Sequence, residues 1–318
     1  MSIARTIDHN IMKIVFMGTP DFACEALRAI KEHGDEIVLV LTRADKPKGR
    51  GYVMTPSPVK QLALSYGIEV LTPVTLRDEE IQNTLSAVGA DLFIVAAYGR
   101  ILPREVLDMP KYGCINIHAS LLPAWRGAAP INRAIMNGDT VGGVTIMHMD
   151  DGIDTGDMIL QKQIDIDPEM NAGEYHDALA RLGGEAICEF IDLLQQGGVT
   201  RTKQPECGVT YAQKIEKSES HIDLTQSAIA VHDLIRGLAP APCAYAVMHG
   251  KRVKLCKAYV CDMCGEAGAT LSADNDGIVI ACGSGSIKVV SVQPEGKGVM
   301  TAAEYLRGNR LGVGELWA

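Results

Sequence analysis

The sequence predicts an α/β fold, with a Rossmann-like domain built on a mostly parallel sheet and a smaller all-β domain after it. Three observations predict this. Helix and strand patterns alternate from Lys13 to about residue 196, the arrangement that builds parallel sheets. Asp91 opens a continuous apolar run, Leu92-Phe93-Ile94-Val95-Ala96-Ala97, as in a strand buried on both faces. From Val209 the texture shifts to short β-branched strands between turn residues, the pattern of a small barrel or sandwich.

Lys13-Ile14-Val15-Phe16-Met17 is the first strand. Thr19 can cap a helix whose first turn holds Pro20, which runs to His33 and closes at Gly34. Ile37–Leu41 completes a βαβ unit, the usual opening of a nucleotide-binding fold. Two details speak against NAD. The turn has a single glycine instead of G-x-G-x-x-G, and the second strand ends in Thr42-Arg43 where a ribose-binding carboxylate belongs.

Residues 43–60 contain Pro47, Gly49, Gly51, Pro56 and Pro58, a density that excludes regular structure. The segment carries Arg43, Lys46, Lys48, Arg50 and Lys60 against Asp45 alone, a net +4, while the rest of residues 1–202 is −13. It is either a functional loop or a solvated insertion. A helix over 59–66, a strand over 68–71 and a helix over 78–88 continue the alternation up to the apolar strand 91–97.

Cys114-Ile115-Asn116-Ile117-His118 alternates, so Asn116 and His118 leave one face side by side. A satisfied amide and imidazole in a core would read the same way. At the carboxyl end of a parallel sheet, where open α/β folds place ligands, the pair would instead stabilise an electrophile. Pro123 stops the strand, and a helix begins at Pro130 and ends before Gly138. Strands over 144–149 and 158–166 flank Asp150-Asp151-Gly152-Ile153-Asp154-Thr155-Gly156-Asp157. An EF-hand is ruled out, since its twelfth position is Gln161. The loop either presents one carboxylate inward or is a solvated acidic turn. A helix over 173–196 closes the first domain. Strands over 244–248, 253–260, 277–281 and 286–292 and one helix over 227–236 make the second.

At 318 residues the chain accommodates two cores. Its 47% hydrophobic and 22% charged content is that of a globular protein, and no apolar run approaches the ~20 residues of a membrane span. Met1–Asn10 lacks an apolar signal core, and Met12 is the more natural start, so residues 1–11 read as a leader or tail. Nine cysteines without a disulfide framework point to a cytoplasmic protein. Cys261 and Cys264 alone have ligand spacing, and without a second such pair no metal is expected. A net charge of −9 argues against non-specific nucleic-acid binding.

N-I-H-A-S-L-L-P-A-W-R-G-A-A-P, followed by G-V-T-I-M-H-M-D-D-G-I-D-T-G-D, resembles the folate-dependent formyltransferases. M-G-T-P-D-F, D-K-P-K-G-R-G with P-S-P-V-K, and V-T-Y-A-Q-K-I bring it nearest to members that act on an aminoacylated tRNA. The resemblance covers Met12 to the C-terminus. It implies transfer of the formyl group of 10-formyltetrahydrofolate to the α-amino group of methionine on initiator methionyl-tRNA. It implies Asn116, His118 and Asp154 as the catalytic set, and Ser120, Leu121, Leu122 and Pro123, with Arg100 and Leu102, as folate contacts. Arg50, with Arg43, Lys46 and Lys48, would approach the tRNA acceptor end, and an OB-like C-terminal barrel would also hold the tRNA. The expected division is a catalytic domain over 12–198, a linker over 199–208 and a tRNA-binding domain over 209–318, in a monomer without metal. Two departures are Ala124, where a larger or basic residue is usual, and a C-terminal domain that is neutral rather than basic.

Chemically, an amine attacking a formyl carbon builds a tetrahedral intermediate bearing an oxyanion. Asn116 and His118 N–H groups can reach one oxygen, and Asp154 is suited to move the proton. A sugar-nucleotide or other small-amine formyltransferase would share this core but leave loop 43–60 idle. A non-catalytic RNA-binding protein would leave the polar pair without purpose.

Overall fold

A computed structural model describes residues 11–48 and 51–318. Arg50 and residues 1–10 of the expected leader lie outside the described residues. The elements of the first two-thirds are β1 (Lys13–Gly18), α1 (Asp21–His33), β2 (Glu36–Leu41), β3 (Lys46–Lys48), β4 (Val53–Thr55), α2 (Pro58–Ser65), β5 (Val70–Leu71), α3 (Glu79–Ala87), β6 (Leu92–Ala96), α4 (Arg104–Leu107), β7 (Cys114–His118), β8 (Arg126–Gly127), α5 (Pro130–Met136), β9 (Val141–His148), β10 (Met158–Asp165) and α6 (Ala172–Gln195). Then follow β11 (Tyr211–Ala212), α7 (Ala228–Leu238), β12 (Ala244–Met248), β13 (Lys251–Cys261), β14 (Thr270–Asp274), β15 (Gly277–Ala281), β16 (Ser286–Pro294), β17 (Met300–Thr301) and α8 (Ala302–Gly308).

The first sheet has seven strands in the order β10-β9-β7-β6-β1-β2-β5. β1 pairs parallel with β2 and β6, β6 with β7, and β2 with β5, while β9 joins β7 antiparallel. The chain order reverses beside β1, the kind of switch point at which such sheets bind ligands. All five residues of β6 are buried, as the apolar run predicts. Val15, Met17, Leu39, Leu41, Phe93 and Val95 form one core with Tyr98, Leu102, Val106 and Leu107. α1 ends at Gly34 with φ 103°, the left-handed cap that a β-carbon would disfavour.

One sequence expectation is corrected. Residues 43–60 are not wholly irregular, because β3 and β4 form an antiparallel ladder, Lys46 opposite Thr55 and Pro47 opposite Met54. Pro47 is tolerated because the ladder has two strands only, and an edge strand needs no N–H on its open side. At the ladder's base the Lys60 ammonium lies 2.9 Å from the Asp45 carboxylate.

The second sheet runs β12-β13-β16-β15-β14, with β17 against β16, and its pairs are antiparallel. β13 shifts register twice between Leu255 and Ala258, the irregularity by which a long strand bends. Its core gathers Val231, Ile235 and Leu238 of α7 with Leu255, Ile278, Ile280, Ile287, Val289 and Trp317. The reading by pattern missed β14, which is short and largely polar, and α8. The chain packs as two compact units, one of residues up to 126 with 143–163 and 177–210, the other of 127–142, 164–176 and 211–318. Among the described residues no helix is long and apolar enough to cross a membrane.

Candidate active site

β7 supplies the first two groups. Its residues are buried except Asn116, which is partly open. The amide therefore reaches solvent from a strand otherwise sealed between β6 and β9. His118, two positions on, is 5% exposed and stands opposite Thr145 of β9.

The imidazole is held from both sides. Nε2 lies 3.0 Å from the carbonyl oxygen of Trp125, and Nδ1 lies 3.7 Å from Asp154 Oδ1. Burial lowers the His118 pKa below its ordinary value of 6.5, against the opposing pulls of the Asp154 charge and the Trp125 carbonyl. The ring is thus neutral near pH 7. A carbonyl only accepts, so Nε2 carries the hydrogen and Nδ1 presents its lone pair towards Asp154.

Both flanking groups come from left-handed backbone. Trp125 has φ 61° and Asp154 φ 52°, and Ala97, just past β6, has φ 45°. Such conformations cost roughly 1–3 kcal/mol each for non-glycine residues and gather at functional sites. In the aspartate loop, Asp150 Oδ1 accepts from the Gly152 amide and the Thr155 hydroxyl. Only a glycine fits at Gly156, since a β-carbon there would collide with the His148 carbonyl oxygen. The Gln204 amide nitrogen then donates to the carbonyls of Asp154 and Gly156, both at 2.8 Å.

Ser120–Pro123 is pinned from below by Thr145, which is fully buried. The Thr145 hydroxyl donates to the Ser120 carbonyl at 2.7 Å and accepts from the Leu122 amide and from Gln161 Nε2, each at 3.0 Å. Gln161 also donates to the Leu122 carbonyl. Leu122 is buried, whereas Leu121 and Pro123 are partly open. Arg100 donates to the Val74 carbonyl. Leu102 is 4% exposed and belongs to the core with Tyr98, Val106 and Leu107.

The basic residues separate. Lys46 is exposed on β3. Arg43 leaves the loop and packs its guanidinium against Gly99, where a β-carbon would lie 3.3 Å from Nη1. Arg43 and Arg100 both bear on Tyr98, whose buried hydroxyl has its pKa pushed up to about 12 by desolvation despite them. Arg43 therefore belongs to the end of the sheet as much as to the hairpin.

The reading by motif did not single out Thr145, Gln161, Arg126 or Gln204 as parts of the site. Thr145 and Arg126 stand inside the quoted motifs, but Gln204 had no signal, because its partners, two backbone carbonyls and the Arg126 guanidinium, lie about fifty to eighty residues away. Among the described residues no group of three or more His, Cys, Asp or Glu side chains is placed to hold a metal ion.

Residues 12–191 match the formyl transferase family and residues 214–310 the formyl transferase C-terminal domain. The methionyl-tRNA formyltransferase of Neisseria meningitidis is 48% identical over 305 residues, covering 95% of this chain and 99% of that protein. That of Geobacter metallireducens is 44% identical over 303 residues, 95% of this chain and 97% of the relative. HypX from Aquifex aeolicus in complex with tetrahydrofolic acid superposes with a TM-score of 0.67 at 19% identity, over 96% of this chain and 49% of that one. An N-formyltransferase from Helicobacter canadensis, in complex with folinic acid and dTDP-3-aminofucose, gives 0.67 at 18% identity over 90% and 100%. At those identities the two structures share the fold.

Proposed function

The chain belongs to the formyl transferase family and transfers a formyl group to methionyl-tRNA, and we propose that Asn116, His118 and Asp154 carry the reaction. The observation that supports this most is the bracketing of one buried imidazole between Trp125 and Asp154, beside the one open amide of β7. The formyl donor in this reading is 10-formyltetrahydrofolate, a co-substrate that supplies an activated formyl carbonyl on nitrogen. The residues fit such a donor: a part-open amide, partly exposed Leu121 and Pro123 held from beneath, and Arg100 four residues past the carboxyl end of β6.

Asn116 donates an amide N–H to the formyl oxygen as negative charge develops there. His118 is available at Nδ1, because Nε2–H is already given to Trp125. It takes up the proton that the attacking α-amine loses, directly or through a water, and Asp154 stabilises the imidazolium so formed. The protonated Nδ1 then donates to the oxyanion and passes its proton to the departing folate nitrogen. One carbon–nitrogen bond forms, one breaks, and the enzyme recovers its starting protonation. No covalent enzyme intermediate is needed, and Ser120 is committed to the Ala124 carbonyl at 2.6 Å.

The same reading gives Lys46 and Lys48 of the hairpin, together with Arg50 and Arg43, to the phosphates of initiator methionyl-tRNA. It takes the bent antiparallel sheet of the C-terminal part as an OB-like surface that shares in holding the tRNA. It sets catalysis in residues 12–198 and tRNA holding in 209–318. It places a monomer in the cytoplasm, in keeping with nine cysteines that form no disulfide.

The test is incubation with 10-formyltetrahydrofolate and either methionyl-tRNA or a nucleotide-linked amino sugar. Formation of N-formylmethionine on the tRNA alone is expected. Formylation of the sugar in its place would move the protein to the small-amine branch of the fold.

A further inference from the structure

The side chain of Gln204 links the backbone of the Asp154 loop to Arg126, the residue after Trp125. Its Nε2 donates to the carbonyls of Asp154 and Gly156 at 2.8 Å each. Its Oε1 accepts from Arg126 Nε at 2.9 Å and Nη2 at 2.7 Å. The amide orientation follows from its partners, since carbonyls only accept and a guanidinium only donates. Arg126 is bonded in the chain to Trp125, whose carbonyl holds His118 Nε2. Asp154 faces Nδ1 on the other side.

The segment that carries Gln204 is itself fixed. Thr202 and Met158 exchange backbone hydrogen bonds at 2.8 Å in both directions. The Arg126 amide donates to the Thr210 carbonyl, and the Trp125 amide to the Thr210 hydroxyl. Residues 202–210 thus form a strap whose ends are tied to β10 and to the Trp125–Arg126 turn, with Gln204 reaching inward between them.

We propose that Gln204, oriented by the Arg126 fork, is a positioning residue that sets the Asp154 carboxylate against His118 Nδ1. The proposal rests on the assignment of Asp154 and His118 to the proton-transfer step. Asp154 sits at φ 52°, a left-handed conformation that costs a non-glycine residue free energy and persists where the surrounding structure holds it. A pair of carbonyls clamped on either side of Thr155 is such a restraint. Without it the loop relaxes, the 3.7 Å separation opens, and proton transfer slows while the binding surfaces for folate and tRNA stay as they were.

The experiment compares Gln204→Ala and Gln204→Glu with the unmodified enzyme, each also in an Asp154→Asn background. Gln204→Glu keeps the size of the side chain and its pairing with Arg126 but has no N–H to give the two carbonyls. This separates positioning from folding should the alanine variant prove unstable. Both variants are expected to lose kcat on the order of 10²-fold, the cost of about 1 Å of misplacement, with KM for both substrates nearly unchanged. In the Asp154→Asn background the second substitution is expected to cost little more. A rise in KM for either substrate, a fully multiplicative loss in the double variants, or wild-type kcat in Gln204→Glu would overturn the proposal. Full activity of Asp154→Asn alone would instead sink the site assignment on which it stands.

Discussion

His118 Nε2 lies 3.0 Å from the carbonyl oxygen of Trp125, seven residues further along the chain. This one bond decides which nitrogen can do chemistry. Nε2–H is spent on an acceptor that cannot be protonated, and the lone pair is left on Nδ1, facing Asp154 at 3.7 Å. A neutral imidazole and an ionised carboxylate at that distance share no hydrogen. In the proposed reaction the two become an ion pair only when Nδ1 takes up a proton, so the stabilisation by the Asp154 charge would appear in step with proton removal from the amine.

Stability should report that titration. Burial depresses the folded-state pKa of His118 below the ordinary 6.5. Between those two values the unfolded chain binds a proton that the folded chain does not. Unfolding is therefore favoured as pH falls through that window, and the full stability is present above about 6.5. Replacing His118 by glutamine removes this contribution but leaves that of His148, whose pKa is also lowered, chiefly by burial. Denaturant titrations from pH 7.5 downwards should show the wild type losing stability relative to His118→Gln. A difference that stays constant with pH would refute the depressed pKa.

Asn116→Ala should lower kcat by about 10²–10³, the usual effect of removing one oxyanion donor. Because the amide is part-open on β7, the fold should lose little stability, and binding of the folate donor should persist. Single-turnover formylation beside a folate titration measures both. A loss below about tenfold would remove Asn116 from the transition state.

Much of this site was legible because β7 and β6 follow period and hydropathy closely. A strand with Asn116 and His118 on one face is local information, and so is the aspartate loop between two strands. The bond to Trp125 was not legible, since it depends on left-handed φ at a tryptophan, which no sequence rule favours. Gln204 was invisible for a related reason, because its two carbonyl acceptors carry no residue signature and its Arg126 partner is 78 residues away in the chain. The β3–β4 ladder defeated a composition argument that weighs Gly and Pro without asking whether a strand has a free edge. By contrast α8 could have been read, as Thr301 and Glu304 form a reciprocal capping box spaced T-x-x-E.

Thr145→Val should disturb Ser120–Pro123, the proposed folate contacts, more than the chemistry, although Thr145 stands opposite His118 in the β7–β9 ladder. The hydroxyl makes three hydrogen bonds at a fully buried position. Its loss leaves the Leu122 amide and the Ser120 carbonyl short of partners, at about 1–3 kcal/mol for a buried group left unsatisfied. Thermal unfolding should register that loss. KM for the folate donor should rise several-fold as Ser120–Pro123 loosens, with KM for methionyl-tRNA unchanged. An unaltered folate KM would show that the segment is positioned by other means.

Lys46 and Arg43 should part company in a tRNA assay, although both belong to the basic stretch after β2. Lys46 is exposed on the hairpin. Lys46→Ala should therefore weaken methionyl-tRNA binding alone and reduce the slope of log K against log salt by about 1 for each phosphate that its ammonium neutralises. Arg50→Ala should act in the same direction. Arg43 packs on Gly99 beside Tyr98, at the carboxyl ends of β2 and β6. Arg43→Ala should alter folate KM as well as tRNA binding, because the segment that leads to Arg100 loses its support. Filter binding over a salt series, with folate kinetics on the same three variants, checks the distinction. Equal effects of all three on folate KM would mean that hairpin and sheet edge act as one element.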